Sequence, residues 1–260
     1  MSMLQFDEHA ARHIQRVYST PDVVQQRAAV LALLDAQPAE RVLDIGSGPG
    51  FLVAALADAV GPGGAVHGLD QSGPMNTVAR EVVGDRSWVM FDEGDALVLP
   101  YPDGSFDAAV STQVYEYVAD IPAAFAELRR VLRPGGRVLI LDTDWDSVVW
   151  HVADRERHRR VMAAWEEHLV HAHLPCTLPG LLRSAGFRVT GRHLIPLFNA
   201  TYAQETYSVL TIDTIARFVV GRQGLSEADV DGWIADLRER GAEDDYLFSV
   251  NRYCFLAVAE

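Results

Sequence analysis

The sequence predicts an α/β fold: a mostly parallel, nucleotide-type sheet with helices on both faces. Short β-branched runs alternate with apolar helical segments from residue 38 onward, and a glycine-rich turn joins the first strand to the first helix of that series. With 260 residues, 49% of them hydrophobic and 22% charged, there is also enough apolar material for one large domain with an elaborated cap. Residues 1–37 read as amphipathic helices, interrupted at Ser19–Asp22 and restarting through Val23–Leu34. Pro38 ends that pattern. Strands are expected at Arg41–Ile45, Ala65–Leu69, Trp88–Phe91, Phe106–Ser111 and Arg137–Leu141, with helices at Phe51–Val60, Ser72–Val83 and Ile121–Leu132 between them. Asp120 is the expected N-cap of the last of these helices, with Pro122 in its first turn. After Asp142 the rhythm changes. Residues 147–173 read as one long helix or two shorter ones, Leu178–Ala185 as a short helix and Phe187–Leu197 as a strand. Two helices around Gly221–Gly224 fill 203–240, and Leu247–Val258 is a closing strand. The organisation is therefore a single domain: N-terminal helices 1–37, a core 38–146, a helical cap 147–246 containing the strand 187–197, and the closing segment 247–260.

Charge narrows the function. Lys and Arg total 22 against 36 Asp and Glu, a formal net charge of −14, which disfavours binding to nucleic acid or an anionic membrane. The start of the chain is acidic and broken by charge, and no apolar run reaches the ~18 residues of a bilayer span. Cys176 and Cys254 make neither a disulfide framework nor a zinc knuckle. A cytoplasmic protein with a small-molecule partner is the expectation.

The most informative stretch is Val42-Leu43-Asp44-Ile45-Gly46-Ser47-Gly48-Pro49-Gly50. A strand opens into a glycine-rich turn and then a helix, so a ligand can approach the backbone where side chains would obstruct it. The spacing is GxGxG rather than the GxGxxG of a dinucleotide fingerprint. Asp44, just before the loop, would disfavour a pyrophosphate and suits a ligand carrying an ammonium group. S-adenosylmethionine is such a ligand. Asp70, ending the second strand, can accept from both ribose hydroxyls, and Asp95, following the third, from the adenine amino group. Any one of these acids alone reads as an ordinary cap; three at successive strand ends beside a glycine loop do not.

These residues resemble a class I S-adenosylmethionine-dependent methyltransferase of the small-molecule, ubiquinone/menaquinone-biosynthesis type. Val42–Gly50 resembles its first motif, Leu99–Asp107 its lead into strand four, and Leu132–Val138 its lead into strand five. The likeness covers about residues 38–142. It implies a Rossmann-like seven-stranded sheet, mostly parallel, with the last strand antiparallel. It also implies that the cofactor is S-adenosyl-L-methionine, leaving as S-adenosyl-L-homocysteine. Gly46, Ser47, Gly48 and Gly50 would form its loop, Gln71 and Ala96 would flank the adenosine, and Ser111, Thr112 and Gln113 would lie near the methionyl portion.

Methyl transfer needs an acceptor nucleophile held close and collinear, and for a poor nucleophile a base as well. Acceptors in open α/β sheets sit beyond the carboxyl ends of the strands. Asp144 and His151, just after strand five, are accordingly the candidate acid/base or orienting groups, with Trp145 as a pocket wall; capping and solvated roles compete for them. Tyr18, Tyr115, Tyr202 and Tyr207 are candidate acceptor contacts. The run Glu166–His173 lacks the HExxH order, so no metal is expected, and Arg155, Arg157, Arg159 and Arg160 form a basic patch that either pairs locally or holds an acidic acceptor group. The stretch 203–240 offers a lid or a homodimer interface. The acceptor atom, whether O, N or C, stays open. A non-catalytic cofactor-binding scaffold is the first alternative, and an NAD-dependent oxidoreductase a weaker one.

Overall fold

A computed structural model describes residues 7–260, so the first residues of the expected N-terminal helical segment lie outside it. Two helices, α1 (Glu8–Val17) and α2 (Pro21–Leu34), precede the alternating core. Asp7 caps α1 by accepting from the Ala10 amide, and Pro21 opens α2. The core then runs β1 (Arg41–Ile45), α3 (Phe51–Val60), β2 (Ala65–Asp70), α4 (Gly73–Val83), β3 (Val89–Glu93), β4 (Phe106–Thr112), a 3₁₀ turn at Tyr115–Tyr117, α5 (Ile121–Val131) and β5 (Leu132–Trp150). The rest is α6 (Arg155–Glu166), α7 (Leu174–Ser184), β6 (Phe187–Asn199), α8 (Tyr207–Val219), α9 (Glu227–Ala242) and β7 (Phe248–Ala259).

The strands form one seven-stranded sheet in the order β3-β2-β1-β4-β5-β7-β6. The first five pair in parallel, and β7 inserts antiparallel between β5 and β6. Alternation along β1 divides its side chains between two cores. Val42 packs with Val30 and Leu34 of α2 and Leu56 and Val60 of α3. Leu43 and Ile45 pack on the opposite face with Phe125 and Leu128 of α5 and Leu178 and Leu182 of α7. A third core joins α6, α8 and α9 to Trp150, Phe248 and Val250 at the far ends of β5 and β7.

The region after Asp142 departs from the expectation. Residues 147–150 are strand, not helix: β5 continues past its parallel neighbour because β7 offers an antiparallel partner through Trp150, with an irregularity between Asp144 and Val149. The acids at 142–146 therefore do not cap a helix. Asp154 does, accepting from the Arg157 amide at 2.9 Å. The helical remainder is α6, a connection at 167–173, and α7, which starts one turn before the expected Leu178 because Pro175 fits its first turn.

Candidate functional site

The carboxyl ends of β1, β2 and β4 open onto a cavity of about 750 Å³. The glycine loop forms its floor because three successive glycines there adopt positive φ: Gly46 at 70°, Gly48 at 50° and Gly50 at 78°. A Cβ on Gly46 would lie 2.1 Å from a Val114 methyl carbon, whereas one on Gly48 would meet nothing within 4 Å. The loop is thus packed on one side and open to a ligand on the other.

Asp70 is fixed by the backbone. Its Oδ2 accepts from the Gly48 amide at 2.8 Å and its Oδ1 from Ser72 at 2.9 Å. Burial raises its carboxyl despite these two donors. Both oxygens keep lone pairs for further donors. Asp95 accepts from the Leu97 amide at 2.9 Å. Asp44 differs from both. It is 1% exposed and its Oδ1 has no hydrogen-bond partner among the described residues. Burial, reinforced by the Asp70 charge, raises its carboxyl well above the usual range. It borders a small annex of about 40 Å³ with Ser47, under Gln26 and Arg27 of α2. The annex and the main cavity share Tyr18, Gly46, Pro49, Thr112 and Gln113. A buried carboxylate without a partner is costly, and a cationic ligand would relieve it.

Gln113 holds φ of 57°, rare for a residue with a side chain, while its amide donates to Leu141 at 2.7 Å and its Nε2 to Thr143 at 3.2 Å. Such strain concentrates at functional sites. Beyond it, Glu116, Asp142 and Arg252 are fully buried together. The Arg252 guanidinium donates to Gln26 and lies 4.8 Å over the Tyr207 ring. Burial raises both carboxyls, with the Arg252 charge opposing it.

The structure brings most of the expected residues together. Gly46, Gly48, Asp70, Gln71, Asp95, Ala96, Thr112 and Gln113 line the main cavity, as do Tyr18, Trp145 and Tyr207. Others stand apart. Gly50 lies behind the loop, where a Cβ would come within 2.8 Å of Ala79. Ser111 is enclosed in β4, and Tyr115 is fully buried against Phe125, at 4.9 Å between ring centroids. Tyr202 packs on Tyr246 at 5.4 Å. Asp144 and His151 do not line the cavity either. Asp144 faces outward to His173 at 3.0 Å, because alternation along β5 turns Trp145 inward and its neighbours away. His151 is held by the Asp245 carbonyl at 2.8 Å at the end of β5. Donor atoms of Asp144, Asp146 and His173 lie within 4.8 Å of one another. The hydrogen bond that His173 donates to Asp144 raises its imidazole above its ordinary value, so the group reads as an ion pair at the surface. Three of the four arginines of the basic patch are paired: Arg157 with Asp154, Arg159 with Glu156 and Arg160 with Asp229.

Tyr117, Trp165, His168 and Val170 line the cavity without having been expected there. Tyr117 carried a signal, since it lies one turn beyond the Ser111–Gln113 segment. Trp165 and His168 arrive from the cap, whose docking no local pattern encodes.

This arrangement defines the class: an open α/β protein with a glycine loop, acids at successive strand ends and one large cavity at the carboxyl edge of its sheet. A family model described as a methyltransferase domain matches residues 43–140. A demethylmenaquinone methyltransferase of Thermus thermophilus is 40% identical over 141 residues, 53% of this chain and 63% of the relative. An uncharacterised 37.1 kDa protein of a Streptomyces fradiae transposon is 40% identical over 147 residues, 56% of this chain and 43% of that protein. The chain thus spans less than two thirds of the length of these curated relatives. Among solved structures, Haemonchus contortus phosphoethanolamine N-methyltransferase 2 in complex with S-adenosyl-L-methionine aligns with a TM-score of 0.63 at 21% identity, covering 98% of this chain and 58% of that one. At that identity the likeness establishes the fold.

Proposed function

We propose that the protein is an S-adenosylmethionine-dependent methyltransferase acting on a small, largely apolar acceptor. The observation that carries this reading is the buried Asp44 carboxyl, whose Oδ1 has no partner among the described residues, beside an open glycine loop, with Asp70 and Asp95 on the adjoining cavity. The residues fit the cofactor. Asp44 would meet the ammonium group, Asp70 the ribose hydroxyls, and Asp95 with the backbone near Ala96 the adenine edge. When bound, the cofactor supplies an activated methyl on a sulfonium. The protein's own task is then positioning and exclusion of water. Trp145, Tyr117 and Tyr207 wall the space beyond Gln113 with aromatic surface, which favours an apolar acceptor. The relative named for demethylmenaquinone makes reduced naphthoquinones the first acceptors to test.

Thermal unfolding with S-adenosylmethionine, S-adenosylhomocysteine and NAD, followed by an assay for S-adenosylhomocysteine release with a reduced naphthoquinone, tests the proposal. A melting temperature raised by the first two and not by NAD is expected. Stabilisation by NAD alone would overturn it.

A further inference from the structure

The cap contributes a pair of side chains to the cavity outside the glycine loop and the strand-end acids. His168 and Trp165 both line the cavity, and their rings stack with centroids 3.8 Å apart and planes 29° from parallel. His168 Nδ1 bonds to the Trp165 carbonyl, which can only accept, so Nδ1 carries the proton and Nε2 keeps a free lone pair. Nε2 is buried and has no partner among the described residues; the same holds for the indole N–H of Trp165. Around them stand Trp145 at 5.6 Å from the His168 ring, Phe218 at 5.7 Å and Tyr117 at 5.8 Å. Burial lowers the His168 imidazole to about 4, so it is neutral at physiological pH, an acceptor rather than a cation.

A wall with one buried acceptor, one buried donor and otherwise aromatic surface lacks a ligand group that both donates and accepts beside a planar apolar body. A hydroxyl meets that description; an ether cannot donate to Nε2, and a carboxylate would be stranded among uncharged rings. We propose that His168 and Trp165 read a hydroxyl group on the acceptor, with His168 Nε2 accepting its hydrogen bond. This deepens the methyl-transfer reading, because the wall belongs to the cavity that would hold the cofactor. It assigns specificity to residues 155–174, beyond the stretch that matches the family.

The test is calorimetric titration of 1-naphthol and 1-methoxynaphthalene into protein saturated with S-adenosylhomocysteine. Wild-type protein is expected to bind 1-naphthol about tenfold more tightly, the worth of one hydrogen bond to an otherwise unpaired buried group. His168→Phe should abolish that preference while keeping the affinity for 1-methoxynaphthalene. Equal affinities in the wild type, a preference that survives His168→Phe, or failure of both probes to bind would overturn the inference. Nitrogen NMR on the wild type covers the case of a variant that does not fold. The unprotonated Nε2 resonance should move with 1-naphthol and not with 1-methoxynaphthalene; identical spectra would count against the proposal. Heat from S-adenosylhomocysteine without discrimination between the probes refutes the hydroxyl reading alone. Discrimination without any heat from S-adenosylhomocysteine refutes the cofactor reading alone.

Discussion

Asp44 places binding and stability in opposition. Its carboxyl is raised in the folded protein above the ordinary value of 3.8, so the unfolded chain ionises first as pH rises. Stability present below that value is lost as pH climbs toward the folded value. Asp44→Asn never ionises, and is expected to raise the melting temperature of the ligand-free protein at pH 7. The same substitution removes the counter-charge for an ammonium group, and should weaken S-adenosylhomocysteine binding about 10- to 100-fold. Melting curves and titration calorimetry on one preparation check both halves; unchanged affinity would remove Asp44 from the site. Gly50 makes a different residue-scale point. It lines no cavity, yet Gly50→Ala combines a positive φ with a Cβ 2.8 Å from that of Ala79. A destabilisation of about 2 kcal/mol in denaturant titration is expected, with native-like cofactor affinity in whatever folds.

Individual elements explain what could be read beforehand. Strands β1 to β4 and helices α3 to α5 were legible because each is a short local pattern: a β-branched run, an apolar helical face, a glycine or proline stop. The positions of the three acids at the strand ends were legible for the same reason, since the end of a strand is a position in sequence. Length and partner are not local. β5 extends to Trp150 only because β7, far along the chain, lies beside it, and within that extension Trp145 faces the cavity while Asp144 turns away to His173. His151 consequently ends on the outside, half exposed and tied to Asp245. His151→Ala should therefore change kcat by less than about twofold, within the effect of an ordinary surface substitution. A loss of tenfold or more in the steady-state assay would return it to the mechanism. Trp165 escaped because an aromatic in a polar helical run looks like routine packing until the cap is docked, and His168 because its run reads only as a metal site or a polar helix face.

At the scale of the molecule, α1 spans the cavity. It contributes Ile14 and Val17 to the lining, while Arg12 pairs with Glu81 of α4 at 2.7 Å and His13 bonds Thr214 of α8 at 3.1 Å. The Arg12–Glu81 pair is exposed, so it is a weak, salt-sensitive latch. Glu81→Gln should speed S-adenosylhomocysteine dissociation by up to about fivefold at low salt, and less as ionic strength rises. Stopped-flow release measured across a salt series would show this, and an identical rate in both proteins would discount α1 as a gate. Among the described residues no helix is long and apolar enough to cross a membrane.

The sheet order carries one more implication. β6 is an edge strand whose one neighbour among the described residues, β7, is synthesised after two intervening helices. On the ribosome the nascent β6 emerges without its mate, and the half of the molecule bearing the glycine loop can condense while the other half waits. Maturation of the cavity's cap side is thereby deferred until translation has delivered the final strand.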